Sequence, residues 1–110
     1  MSEQVLIPNP FLEMVNTQDL YGWVTGKLGN EDTGFCTAGL YGHLCSVNPM
    51  FDNDVVRIRM TNIFMRHLPK GKNIFSWNDF VAKDDAAVRE LLKHCAQDWD
   101  ELYGSSTITI

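Results

Sequence analysis

The sequence predicts a mainly α-helical protein, a single compact domain of about four helices with room for a minor two-stranded β element. The chain has 110 residues, of which 45% are hydrophobic, enough for one core and too many for a disordered chain. Several segments carry apolar residues at spacings of three and four, the repeat of a helix with one buried face. We therefore treat residues 1–110 as one domain, in which residues 1–8 and 105–110 are either flexible or short strands.

The first helix is predicted to begin at Asn9 and Pro10. An asparagine caps a helix start well, and proline is tolerated at the first helical position because its missing N–H would be unpaired there anyway. A break near Asn16 is an alternative, with Thr17 capping a second piece. The segment KLGNEDTG that follows, residues 27–34, is predicted to be a loop because it is rich in glycine, asparagine and aspartate.

The second helix is predicted to run from a cap at Asp32 or Thr33 to about Val47. Pro49 ends it, because the residue before a proline disfavours the helical conformation. This helix contains the stretch GFCTAGLYGHLC, which holds two of the three cysteines of the chain.

Two glycines, Gly39 and Gly42, lie inside the predicted second helix. A glycine in a helix interior costs about 1 kcal/mol relative to alanine, so the pair predicts a backbone that packs closely against a neighbouring segment. Phosphate binding is the rival interpretation. It is not favoured, because neither G-x-x-x-x-G-K-[ST] nor G-x-G-x-x-G occurs in the sequence.

Residues 54–68 are predicted to form the third helix. The sequence VVRIRM within them alternates as a strand would, but Val56, Met60 and Ile63 also share one face of a helix. The length of the segment and its lack of turn-forming residues favour the helix.

The segment NIFSWND, residues 73–79, is predicted to be either a short strand or an extended connector. Within it, Asp79 or Asn78 would cap backbone donors of the connector, and Trp77 would be buried against the last helix.

The last helix has the clearest periodicity of the chain. Asp84 or Asp85 is a suitable cap and Gly104 a suitable stop. One helical stripe is expected to be buried and comprises Val88, Leu91, Leu92, Cys95, Trp99 and Leu102.

The tail STITI, residues 106–110, alternates like a strand and is predicted to pair with the 73–79 segment or with VLI near the N-terminus, or to fray.

Metal binding is not expected, because the close pairs typical of structural zinc sites, such as C-x2-C or H-x3-H, do not occur. In one helix, Cys36 and Cys45 would be nine positions apart, which places them on opposite faces and about 13 Å apart along the axis. That geometry excludes a shared metal and a disulfide. We expect no cofactor. The side chains weighed as ligands are Cys36, His43, Cys45, His67, His94 and Cys95.

Cys36 is the one candidate nucleophile. The dipole at the start of a helix favours the thiolate form of a cysteine, and His43, seven residues further on the same face, could serve as a base. The preferred interpretation is a buried structural cysteine, which is a common fate of free thiols. Cys95 is expected in the core.

Charge is distributed unevenly along the chain. The net charge is −5, with a net +5 in residues 55–83 between −6 in residues 1–54 and −4 in residues 84–110. The basic segment 57–72 could contact phosphates, but its acidic flanks argue against a nucleic-acid-binding protein. The last helix instead supplies candidates for an acidic interaction surface, which are Asp84, Asp85, Glu90, Asp98, Asp100 and Glu101.

A spaced pattern, G-W…G…G-x-C-x-x-G…W-N-D, begins at Gly22 and ends at Asp79. It resembles an uncharacterised domain family of small bacterial and bacteriophage proteins, over about residues 20–96. The chain has Cys-x-x-Gly-Leu where that family usually has Cys-x-x-Gly-Ala. The resemblance implies a compact, mostly helical unit with no assigned reaction. It also implies that five residues shape the fold, namely Trp23, Cys36, Gly39, Trp77 and Asn78.

These observations together lead us to expect a small cytoplasmic, phage-encoded protein that binds a host protein. Such proteins inhibit a host defence system, as anti-CRISPR proteins do, or a host enzyme. No membrane contact is expected, because no apolar run reaches the roughly 18 residues of a membrane span and the N-terminus lacks signal-peptide features. A small enzyme using Cys36 is the first alternative, and nucleic-acid binding through residues 57–72 is the second.

Overall fold

The computed structural model describes residues 4–69, 77–78, 82, 84–104 and 107–109. Its helices are α1 (Pro10–Tyr21), α2 (Thr37–Val47), α3 (Asp54–His67) and α4 (Asp85–Tyr103). The predicted fold class is confirmed, since these four helices dominate the chain. The radius of gyration is 13.7 Å, close to the roughly 13 Å expected of one compact domain of this length.

The two ends of the chain meet in a small antiparallel sheet. Strand β1 (Gln4–Leu6) pairs with strand β4 (Thr107–Thr109), with Gln4 opposite Thr109 and Leu6 opposite Thr107. Of the three outcomes that the sequence left open for the STITI tail, pairing near the N-terminus is therefore the one observed. Most of the 73–79 segment, which was the other candidate partner, lies outside the described residues.

Helix α1 begins as predicted, with the Asn9 side chain accepting a hydrogen bond from the backbone N–H of Phe11. The suggested break at Thr17 is wrong, because α1 continues through it to Tyr21. The Thr17 hydroxyl donates to the Glu13 carbonyl one turn earlier, at 2.8 Å. A threonine that bonds back in this way sits inside a helix rather than capping one.

The predicted loop contains a hairpin of two very short strands, β2 (Gly29–Asn30) and β3 (Gly34–Phe35). The Asn30 side chain accepts hydrogen bonds from the backbone N–H groups of Asp32 and Thr33 and so closes the turn between them. The prediction that Asp32 or Thr33 caps α2 is therefore wrong, because both residues lie in this turn. The cap is Cys36, after β3.

Helix α4 begins after Asp84, whose carboxylate accepts from the Ala87 N–H at 2.9 Å, and it ends at Gly104. Both predicted ends are confirmed. The predicted buried stripe is also correct except for Leu102, which is 51% exposed although the neighbouring Tyr103 packs against the Trp99 ring.

The core lies where α1 meets α2 and α4 and where α3 meets α4. The Phe11 ring is its centre, with the Phe64 ring edge-on at 5.1 Å and the Trp99 ring at 6.2 Å. Helices α2 and α3 make few direct contacts with each other. The result is a cleft between them.

Candidate functional site

Two of the six acidic candidates on α4 have structural roles. Asp84 caps the helix, as described above. Asp98 is only 20% exposed at its side chain, and its Oδ2 lies 2.7 Å from His67 Nε2 and 3.2 Å from an Arg66 guanidinium nitrogen. These contacts link α4 to α3. Little of the negative charge of Asp98 is therefore available to a partner protein.

The other four acids, Asp85, Glu90, Asp100 and Glu101, are exposed. Their contacts are with neighbouring polar groups of the chain: Glu90 lies 3.1 Å from His94, and Asp100 accepts from Asn9 at 3.1 Å. Contacts of this kind at the surface are weak. These four carboxylates are therefore accessible to a partner.

All four arginines of the chain contact partners within it. Arg57 contacts the carboxylates of Asp52 and Asp54, Arg66 contacts Asp98, and Arg89 contacts Asp19. Arg59 lies over the Tyr103 ring, 4.6 Å from its centre. The arginines of the predicted basic segment are thus committed to intramolecular contacts, while Lys70 and Lys72 lie outside the described residues.

Cys36 is a buried helix cap. It is 4% exposed, and its Sγ accepts a hydrogen bond from the Gly39 N–H at 3.3 Å. The His43 ring packs against the rings of Tyr21 and Phe35, at 5.3 and 5.0 Å. The described contacts give Cys36 a structural partner and His43 an aromatic environment, so no nucleophile–base pair is visible in them.

Cys95 is fully buried, as expected, and burial raises the pKa of its thiol to about 12. The thiol is therefore protonated and inert near neutral pH. All three cysteines are free. Among the residues that the structure describes, no three His, Cys, Asp or Glu side chains converge as a metal site would require.

The buried side chain of Asn78 takes part in four of the described hydrogen bonds. It is 1% exposed, and its Oδ1 accepts from Trp23 Nε1 at 2.7 Å, from the Thr37 N–H at 2.9 Å and from the Thr37 hydroxyl at 2.6 Å. Its amide nitrogen donates to the Val24 carbonyl at 3.2 Å. Asn78 therefore accepts hydrogen bonds from α2 and from the segment after α1, whereas most of the connector for which a cap was predicted lies outside the described residues.

An apolar pocket lies in the cleft between α2 and α3. Its volume is about 330 Å³, at the lower end of the range for ligand pockets. Sequence reasoning placed Met60 on the buried face of the third helix and missed the opening. A sequence signal for it is the pair of small side chains, Thr37 and Ala38, at the start of α2. The lining residues are Met14, Leu28, Thr37, Ala38, Tyr41, Arg57, Met60, Thr61 and Phe64.

Tyr41 fixes one wall of this pocket. Its hydroxyl donates to the Phe51 carbonyl at 2.5 Å, which ties α2 to the short 3-10 helix Pro49–Phe51. Burial raises the pKa of the Tyr41 phenol. The hydroxyl therefore keeps its proton, and this hydrogen bond persists at neutral and moderately alkaline pH.

The chain matches no family model, no curated protein and no solved structure. The likeness to the phage and bacterial family thus remains an expectation from the spaced pattern. No helix among the described residues is long and apolar enough to cross a membrane.

Proposed function

We propose that this chain is a small phage-encoded, protein-binding module of the cytoplasm that inhibits a host defence system or a host enzyme. The observation that supports it best is the group of exposed carboxylates on α4. Four acidic side chains of this helix are exposed, and each arginine of the chain lies against a carboxylate or a ring of the chain itself, although the side chains of Arg57, Arg66 and Arg89 are 46–55% exposed. A surface of this kind favours a basic partner through long-range attraction.

The accessible acids extend along much of one helix. Asp85 and Glu101 are sixteen residues apart, which is about 24 Å along the axis. Such a length suits a contact with a protein surface rather than with a single small molecule. Lys93 lies among the acids, so the attraction comes from particular carboxylates and not from a uniform acidic patch.

The test is a pull-down from a bacterial host lysate, with mass spectrometry, comparing the native chain with the Glu90→Lys/Glu101→Lys double variant. Both positions are exposed and neither caps the helix. The matched control is Glu13→Lys/Glu31→Lys, which makes the same charge change at exposed positions outside α4. We expect a specific host protein that the α4 variant captures at least tenfold less than the control does. Equal capture by both variants would exclude the α4 surface.

A second measurement tests the inhibitory role. The captured host protein is assayed for its activity, or for restriction of phage growth, with and without the purified chain. Loss of that activity on addition of the native chain is the expected result. Full activity at saturating chain would contradict inhibition even if binding is specific.

A further inference from the structure

We propose that the cleft between α2 and α3 is a second contact site, which takes a large apolar side chain from a basic segment of the partner protein. This inference rests on the proposed function, because it assumes that the chain binds a protein. It concerns a different surface from the acids of α4.

The size of the cleft argues for an anchor side chain. About 330 Å³ is small for a cofactor but ample for one aromatic or aliphatic side chain. Protein interfaces concentrate their binding energy where one such side chain enters a pocket and is shielded from water.

The composition of the cleft argues for an apolar guest. Its base is formed by Met14, Met60 and Phe64, and Leu28 stands at its edge with 57% of its surface exposed. Methionine side chains are flexible and polarisable, so they adjust to guests of different shapes and contact aromatic rings favourably. A leucine at the edge gains stability when a partner covers it.

The charge at the edge argues for a basic segment around that guest. Arg57 is the one charged side chain in the described lining of the cleft, and it contacts Asp52 and Asp54, which lie beside that lining with side chains 60% and 85% exposed. One guanidinium and two carboxylates sum to a charge of −1, so the arginine does not make the edge attractive to anions. A cation beside the apolar anchor would meet the exposed parts of the two carboxylates.

The cleft continues onto the outer face of α3. A second depression of about 240 Å³ is lined by Arg57, Ile58, Thr61 and Asn62, and it shares Arg57 and Thr61 with the first. Ile58 is 61% exposed there. A segment whose anchor occupies the cleft could therefore extend over Thr61 and cover Ile58 as well.

The first test uses three probes that share a phenylethyl group and carry a cationic, a neutral or an anionic head group: 2-phenylethylamine, 2-phenylethanol and 3-phenylpropionate. Each is titrated into the full chain, carrying ¹³C-labelled methionine methyl groups, and followed by NMR. We expect the Met14 and Met60 methyl signals to shift, with the amine binding at least threefold more tightly than the propionate. No shift of these two signals, or tighter binding of the propionate, would overturn the proposal.

The second test asks whether a peptide segment, rather than a small molecule, occupies the cleft. A random peptide library is selected against the native chain, and the enriched peptides are measured against Thr61→Phe, which places a ring across the cleft from an exposed position. The matched control is Gln97→Phe, an exposed position on α4. We expect peptides with one large apolar residue flanked by Lys or Arg, which lose at least tenfold in affinity with Thr61→Phe only. Enrichment of no such peptide, or equal binding to both variants, would overturn the proposal.

The two proposals can fail separately. A host protein whose capture depends on Glu90 and Glu101 but not on Thr61 leaves the protein-binding function in place and overturns the cleft proposal. Amine binding in the cleft without any peptide enrichment overturns the protein occupant, because the site would then serve a small molecule.

Discussion

Gly39 of α2 lies directly against the backbone of Leu28. A Cβ placed on Gly39 would be 2.1 Å from the Leu28 carbonyl oxygen, far inside any real contact distance. The same carbonyl accepts a hydrogen bond from the Cys36 N–H at 3.0 Å. The glycine therefore lets the hairpin approach the start of α2, and this approach places the Leu28 side chain at the edge of the cleft.

We predict that Gly39→Ala destabilises the protein and that Gly42→Ala does not. The added methyl at Gly39 meets backbone that cannot easily move, and overpacking of this kind costs about 1–3 kcal/mol. Gly42 has no atom within 4 Å of its would-be Cβ, so alanine there should stabilise the helix by up to about 1 kcal/mol. Urea denaturation of the two variants measures both effects. Equal stability of the two would contradict the close approach at Leu28, and the sequence prediction that both glycines pack closely is already wrong for Gly42.

We predict that Asn78→Ala lowers the free energy of unfolding by roughly 3 kcal/mol, because buried donors of Trp23 and Thr37 lose their acceptor and each unmet donor costs about 1–3 kcal/mol. The control is Asn30→Ala. Asn30 also accepts from two backbone N–H groups, but it is exposed and water can replace it, so its loss should cost less than about 1 kcal/mol. If Asn78→Ala lowered the free energy of unfolding no more than Asn30→Ala does, the hydrogen bonds of Asn78 would contribute little to stability.

The three thiols should react with iodoacetamide in an order set by burial. Cys45 is partly exposed, whereas Cys36 is 4% and Cys95 0% exposed. We expect peptide mapping of the folded chain to find label on Cys45 first, and on the other two only after unfolding in urea. A sample unfolded from the start shows that all three can be labelled. Cys36 reacting ahead of Cys45 in the folded chain would restore the cysteine-dependent enzyme as a hypothesis.

Stability should fall as the pH rises above about 9. Burial raises the pKa of the Cys95 thiol from its ordinary value of 9.0 to about 12. Between these values the unfolded chain loses the proton and the folded chain keeps it, so unfolding is favoured progressively. At pH 10 the loss from this group is about 1 kcal/mol relative to pH 7.

The comparison that isolates this effect is urea denaturation of the native chain and of Cys95→Ala at pH 7 and pH 10. The variant leaves a cavity that costs the same at both pH values, so it should be less stable throughout but lose about 1 kcal/mol less between them. The same pH dependence in both proteins would assign the alkaline loss to other groups.

The local features of this chain were predictable because each depends on residues within about one helical turn. Asn9 and Asp84 cap helices through N–H groups two or three residues away, and the apolar periodicity of α4 reports which side is buried. The alternation of the tail was enough to suggest a strand near the N-terminus, although it could not choose among three outcomes.

The partners of Asn78 and Asp98 and the cleft were decided by the tertiary structure, because they depend on which distant segments of the chain meet. Asn78 binds donors 41 and 55 positions away, and Asp98 is held by residues of α3 about thirty positions earlier. The sequence offers Asp84 as a cap, but it does not separate Asp98, which is held by α3, from the four acids of α4 that remain accessible. The cleft likewise exists because α2 packs on α1 and α3 packs on α4 without closing on each other, a consequence of helix placement that no local pattern encodes.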